Sequence, residues 1–148
     1  LGVGTVFPRP VRKHGMEIAS KVALYEMLVR RDATLDALVF VAVKSTGPYP
    51  IGVDMEPKSR LVDMGALDQI ATEEVKKQTP YPTNLETWMA IEAVSKATGY
   101  GLSISREISY SRGVWKLRGE SWKVDFEQRL VGGVHHLVSI ARLITEAP

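Results

Sequence analysis

Between Gly101 and Phe126 the chain alternates apolar and polar residues, and two glycine turns cut the run into three. Leu102, Ile104, Ile108 and Tyr110 share one parity with Arg106, while serines and Glu107 take the other. Arg112-Gly113 is a turn, after which Trp115 and Leu117 share a face. Gly119-Glu120 is another, after which Trp122, Val124 and Phe126 do. The parity of the apolar positions switches across Gly119-Glu120, as it must when a new strand begins. An alternating chain of this kind can bury only one face of a sheet, so it demands a cover. We read a three-stranded antiparallel meander.

Helices on either side supply that cover. Thr83-Asn84-Leu85-Glu86 has the spacing of a capping box. The helix it opens runs from Leu85 to Thr98, with Gly99 as its stop. After the meander, Leu130, Val134, Leu137, Ala141 and Ile144 recur at helical spacing, which predicts a closing helix over Gln128–Ala147. Gly132 and Gly133 fit that helix badly, because each costs about 1 kcal/mol in a helix interior. Either another backbone approaches them closely, or the helix starts after Gly133.

Pro-Tyr-Pro occurs twice, at Pro48–Pro50 and Pro80–Pro82, and forbids helix at both places. We read both as rigid corners. Before the first, Met16–Asp32 reads as a helix rich in Ala, Leu, Met, Glu and Lys. It carries Leu24 and Leu28 on the side opposite Ile18, Val22, Tyr25 and Val29, so another chain could cover it. Ala37–Ser45 reads as a strand buried on both faces. Ile51–Pro57 reads as a half-exposed strand stopped by its proline. Asp63–Lys77 reads as one amphipathic helix with Leu67, Ile70, Ala71 and Val75 inward. The expected class is α+β: a C-terminal α-β-β-β-α half over 83–148, an N-terminal α/β half over 16–80 packed against it, and an extended basic arm over 1–15. The two halves could equally form one compact domain.

The α-β-β-β-α order over 83–148 resembles double-stranded-RNA-binding domains. In that family a lysine-rich cluster opens the second helix and grips phosphates. Here the matching stretch, Glu127–Gly133, has Arg129 as its only cation. The strand Val39–Thr46 resembles the motif of PD-(D/E)XK nucleases. Lys44 matches that family's lysine, while Ala42 stands where its metal-binding acid belongs. The resemblance would make Glu17 on the first helix a further ligand, while Asp36 lies too close in sequence to be that family's partner aspartate on a neighbouring strand. Asp54–Lys58 is a second, proline-interrupted match.

Charge narrows the function little. Net charge is +2 over 148 residues, with 11 basic and 10 acidic residues before Pro80 and 8 and 7 after it. Candidate nucleic-acid contacts are Arg9, Arg12 and Lys13 on the arm, Arg112, Lys116, Arg118 and Lys123 on the meander, and Arg129. By the alternation, Lys116, Arg118 and Lys123 lie on the face away from the tryptophans. His135 and His136 are adjacent and have no third ligand, so no metal site is expected. No cysteine is present, which is compatible with a reducing, cytoplasmic setting. No apolar run reaches the roughly 20 residues of a membrane span. The first residue is Leu1, which we read as the start of a trimmed or processed piece. No catalytic set and no cofactor motif stands out. The first functional reading is therefore a non-enzymatic assembly or interaction protein, self-associating or docking to a partner protein, as in a viral or other multi-subunit structure. Leu24, Leu28, Gly132 and Gly133 are its candidate interface residues. RNA binding is the second reading, and a degenerate nuclease fold the third.

Overall fold

The structure, a computed structural model, describes residues 48–145 and the backbone of three N-terminal strands, 2–4, 24–32 and 37–45. These are β1 (Gly2–Gly4), β2 (Leu24–Asp32) and β3 (Ala37–Ser45), an antiparallel sheet in the order β1-β3-β2. The chain then forms β4 (Ile51–Pro57), α1 (Met64–Ile70), α2 (Glu73–Gln78), α3 (Asn84–Thr98) and a 3-10 helix (Gly101–Glu107). It ends in β5 (Ser109–Ser111), β6 (Val114–Leu117), β7 (Glu120–Val131) and β8 (Val134–Leu143). The last four strands and β4 make a five-stranded antiparallel sheet in the order β4-β8-β7-β6-β5. The class is α+β. No helix among the described residues is long and apolar enough to cross a membrane.

α3 crosses the inner face of this sheet. Its start is the capping box read from sequence: the Thr83 backbone N–H donates to the Glu86 carboxylate at 3.2 Å. Its stop is Gly99, at φ 87°. The helix lies so close to β4 that a Cβ at Gly52 would meet the Ala93 carbonyl oxygen at 1.8 Å. Beside it, the Ser139 hydroxyl donates to the Met89 carbonyl at 3.0 Å. Ile91 and Val94 of α3 join Trp115, Leu117 and Trp122 of the sheet in the main core, with Leu67, Ile70 and Val75 from α1 and α2. On the outer face, Ile51, Val53 and Met55 form a second core with Val138 and Ile140. β2 and β3 come up against β4 on the N-terminal side.

The second Pro-Tyr-Pro joins α2 to α3 and drives a side chain into the core. Tyr81 stacks on Trp115 at 6.5 Å and meets Phe126 edge-on at 5.2 Å. Burial pushes its phenol above the ordinary 10.0. The first Pro-Tyr-Pro is a bend leading into β4, with Tyr49 half exposed.

Several expected elements take another form. The closing helix does not exist: Gln128–Val131 extends β7, and Val134–Leu143 is β8. With it goes the α-β-β-β-α order on which the likeness to double-stranded-RNA-binding domains rested. The physical reason is that β8 is buried on both faces from His136 to Ala141. Such a strand has an apolar run that also satisfies helical spacing. Leu24–Asp32, read as the end of a helix, is strand β2. Met16–Ala23 lies outside the described residues, as do the arm residues Arg9, Arg12 and Lys13. Gly101–Glu107 is a 3-10 helix despite its alternation. The Arg106 guanidinium holds it by donating to the carbonyls of Asp68 and Ala71 at the end of α1. Asp63–Lys77 divides into two helices because Thr72 caps a new start, its hydroxyl accepting from the Val75 N–H at 3.3 Å. The four residues expected inward there are all buried. β4 is buried almost throughout, where half exposure was expected.

Candidate functional site

β7 has 12 residues and β6 has 4, and this mismatch creates the most distinctive surface of the sheet. β6 pairs with β7 only from Leu117↔Glu120 to Trp115↔Trp122. β8 follows β7 without interruption from Trp122↔Leu143 to Val131↔Val134. From Lys123 to Val131, β7 therefore has a hydrogen-bonded strand on one side only among the described residues, although the backbone of β1 comes near β7. No proline, glycine or bulge interrupts it there.

The turn determines which backbone groups face the open side. Gly132 and Gly133 take φ values of 57° and 80°, as a two-residue type I′ turn requires. Val131 and Val134 flank that turn and exchange both hydrogen bonds. Alternate residues back along β7, Arg129, Glu127 and Asp125, then bond to β8. Their neighbours Val124, Phe126, Gln128 and Leu130 turn N–H and C=O outward, to the open edge. The same phase appears at the other end, where the Ile144 N–H donates to the Ser121 carbonyl at 2.8 Å. The side chains divide by face. Val124 and Phe126 point inward and are half-buried, and Leu130 on the same face is 63% exposed. The outer face carries Lys123, Asp125, Glu127 and Arg129.

Those outer charges are mutually paired. Arg129 donates to Glu127 at 2.8 Å, and Arg142 of β8 donates to Asp125 at 2.9 Å. Lys123 approaches Asp125 at 3.8 Å. Arg118 sits in the β6–β7 turn at φ 49°, paired with Glu107 at 2.9 Å and lying 4.7 Å over the Tyr100 ring. Its guanidinium holds the Glu107 carboxyl below the ordinary carboxylate range. Lys116 is exposed on the outer face, in register with Ser109 and Ser121. Arg112 lies in the β5–β6 turn at φ 50°. The structure thus spreads the expected cations along two turns and one face, interleaved with acids.

The remaining candidates fall elsewhere. The backbones of Leu24 and Leu28 are in register with Ser45 and Val41 of β3. Gly132 and Gly133, read as an anomaly within a helix, are the hairpin turn at the tip of the open edge. Lys44 and Ala42 lie in β3, and Asp36 and Glu17 lie outside the described residues. In the second nuclease-like match, Asp54 and Glu56 are both buried on the α3 side. Lys96 donates to Asp54 at 2.8 Å, and Arg60 pairs with Glu56. No group of three or more His, Cys, Asp or Glu residues among those described could hold a metal ion. His135 is exposed, and His136 is buried with its Nδ1 3.0 Å from the Val134 carbonyl. A shallow cleft of 420 Å³ opens between Lys58–Val62 and the start of α3. Arg60 on its wall lies 5.3 Å over the Trp88 ring.

The hairpin that carries the open edge was legible in principle. Gly-Gly between Val131 and Val134 is a hairpin signal, and the residues before it alternate. The chain matches no protein-family model, no curated protein and no solved structure.

Proposed function

We propose that the protein works by assembly, accepting an extended strand along the open edge of β7. The carrying observation is the row of outward backbone groups from Val124 to Leu130, beside the exposed side chain of Leu130. An edge like this is a template for another chain, and folded proteins usually blunt it with proline, a bulge or a cover. This supports the reading of a non-enzymatic structural or interaction component. RNA binding ranks second, because three of the five described cations that would carry it, Arg118, Lys123 and Arg129, sit beside acids of the same chain. A salt titration with RNA ranks the two, since phosphate contacts weaken steeply with salt.

Hydrogen exchange tests the proposal directly. In the assembled state the Phe126, Gln128 and Leu130 amides slow as far as those of Glu127 and Arg129, which already bond to β8. On dilution they become fast while the others stay slow. Gln128→Pro removes one outward donor without touching the β8 ladder, so it abolishes assembly where Gln128→Ala does not. Fast exchange of the three outward amides under every condition, with partner or without, would overturn the reading.

A further inference from the structure

We infer that the strand added to β7 is β7 of a second copy of this chain, antiparallel, with the two-fold axis through Gln128. The inference rests on the assembly reading above and adds the partner and the register.

A two-fold axis normal to the sheet keeps both inner faces on one side. It must then pass through a residue, so that like parity meets like parity. Around Gln128 the sequence is self-complementary: Phe126, Glu127, Gln128, Arg129, Leu130. With the axis there, Glu127 stands opposite Arg129 of the partner subunit, and Arg129 opposite the partner's Glu127. Phe126 stands opposite Leu130 of the partner subunit on the inner face, which gives the exposed Leu130 an apolar neighbour. Gln128 meets its own copy. Gln128 is also one of the residues whose N–H and C=O face outward, so this central pair exchanges both backbone hydrogen bonds.

Neighbouring registers are worse. An axis through Phe126 sets Asp125 against the partner's Glu127, and Lys123 against the partner's Arg129. An axis through Glu127 or Asp125 sets a carboxylate against its own copy. Opposite charges directly across a strand pair stabilise it, and like charges oppose it. An axis through Val124 would set Lys123 against the partner's Asp125, but it needs the stretch around Trp122 that β6 already pairs. Among registers clear of β6, only that of Gln128 gives two acid–base pairs with no like-charge contact among these four ionised positions. It occupies Asp125 to Val131, beyond the last residue that β6 covers, so β5 and β6 keep their places.

Charge exchange tests both partner and register. The wild-type chain shows a doubled mass by light scattering as concentration rises. Glu127→Arg and Arg129→Glu each create two like-charge contacts and weaken the dimer at least ~10-fold. Mixing the two single variants restores association, because each then supplies what the other lacks. The double variant E127R/R129E also restores it. Gln128→Cys gives a clean covalent check, since the chain has no other cysteine. Hydrogen-bonded partners stand about 5.5 Å apart at Cα, within disulfide range. Mild oxidation then links two copies through position 128. Circular dichroism confirms that each variant stays folded, and where a charge variant does not, the disulfide result decides. Single variants that associate as well as the wild type, a mixture that stays apart, or no disulfide at position 128 would overturn the inference. A wild-type chain that stays monomeric, yet protects its outward amides when an extended peptide is added, overturns the two-fold dimer and leaves assembly through the edge standing. Outward amides that nothing protects overturn both.

Discussion

β4 and the far half of β7 each lack a hydrogen-bonded strand on one side among the described residues, and they share little else: β2 and β3 come up against β4, while β1 comes near β7. β4 is buried from Ile51 to Glu56 and ends at Pro57. Its glycine lies against the α3 backbone, and Asp54 is held by Lys96. The far half of β7 has no proline and no bulge, its inner face meets α3 through Phe126 against Leu85 and Met89, and its side chains are half-buried or exposed. The third free side, β5, is only 3 residues long, and the Glu107–Arg118 pair lies beside it. Among the described residues, the sheet therefore guards β4 and β5 and leaves the far half of β7 without a hydrogen-bonded neighbour. A sheet that guards an edge spends core residues on it, whereas an open edge keeps polar residues that tolerate water until a strand arrives.

Substitutions should separate guarded from open edges by size of effect. Gly52→Val drives side-chain atoms into the Ala93 carbonyl, and neither backbone can yield. We expect a loss of about 3 kcal/mol or more, or no folding, read by urea denaturation. Lys96→Met takes from buried Asp54 its cation at 2.8 Å. That should cost about 3 kcal/mol in the same measurement. A loss as small as that of a surface change would mean that β4 is not a guarded edge. Leu130→Thr on the open edge should leave monomer stability within about 0.5 kcal/mol, because this side chain touches little in the single chain. It should still weaken assembly, read by light scattering. A large stability loss there would mean that the edge is covered after all.

The smallest effect concerns pH. Glu107 is held below the ordinary 4.5, mainly by its hydrogen bond with Arg118. A carboxylate with a lowered folded pKa contributes stability above its unfolded value and loses it as pH falls through the folded one. Glu107→Gln should therefore melt slightly lower than wild type at neutral pH and converge with it below 4.5. Both ends of this pair are exposed, so salt should shrink the difference. Tyr81 acts at the other limb: its phenol is raised above 10.0, chiefly by burial. The neutral form suits the core, so stability should fall as pH rises past 10.0, and Tyr81→Phe should flatten that fall in a melting series.

The sequence by itself determined features whose cause lies within a few residues. The capping box at Thr83, the stop at Gly99, the turn Arg112-Gly113 and the inward tryptophans all follow from local hydrogen bonding, positive φ or parity, whereas the turn expected at Gly119-Glu120 falls one residue earlier, at Arg118-Gly119. Its second half misled where two periods coincide. From Gln128 onward, Leu130, Val134, Leu137, Ala141 and Ile144 fit a helix as well as a doubly buried strand, and the Gly132-Gly133 turn was outweighed by that stripe. Only the tertiary structure decided that β8 inserts between β4 and β7, far apart in the chain, because that choice depends on what covers each face. The same insertion leaves short β6 beside long β7. The open edge belongs to that difference in length between neighbours, which no local pattern of residues records.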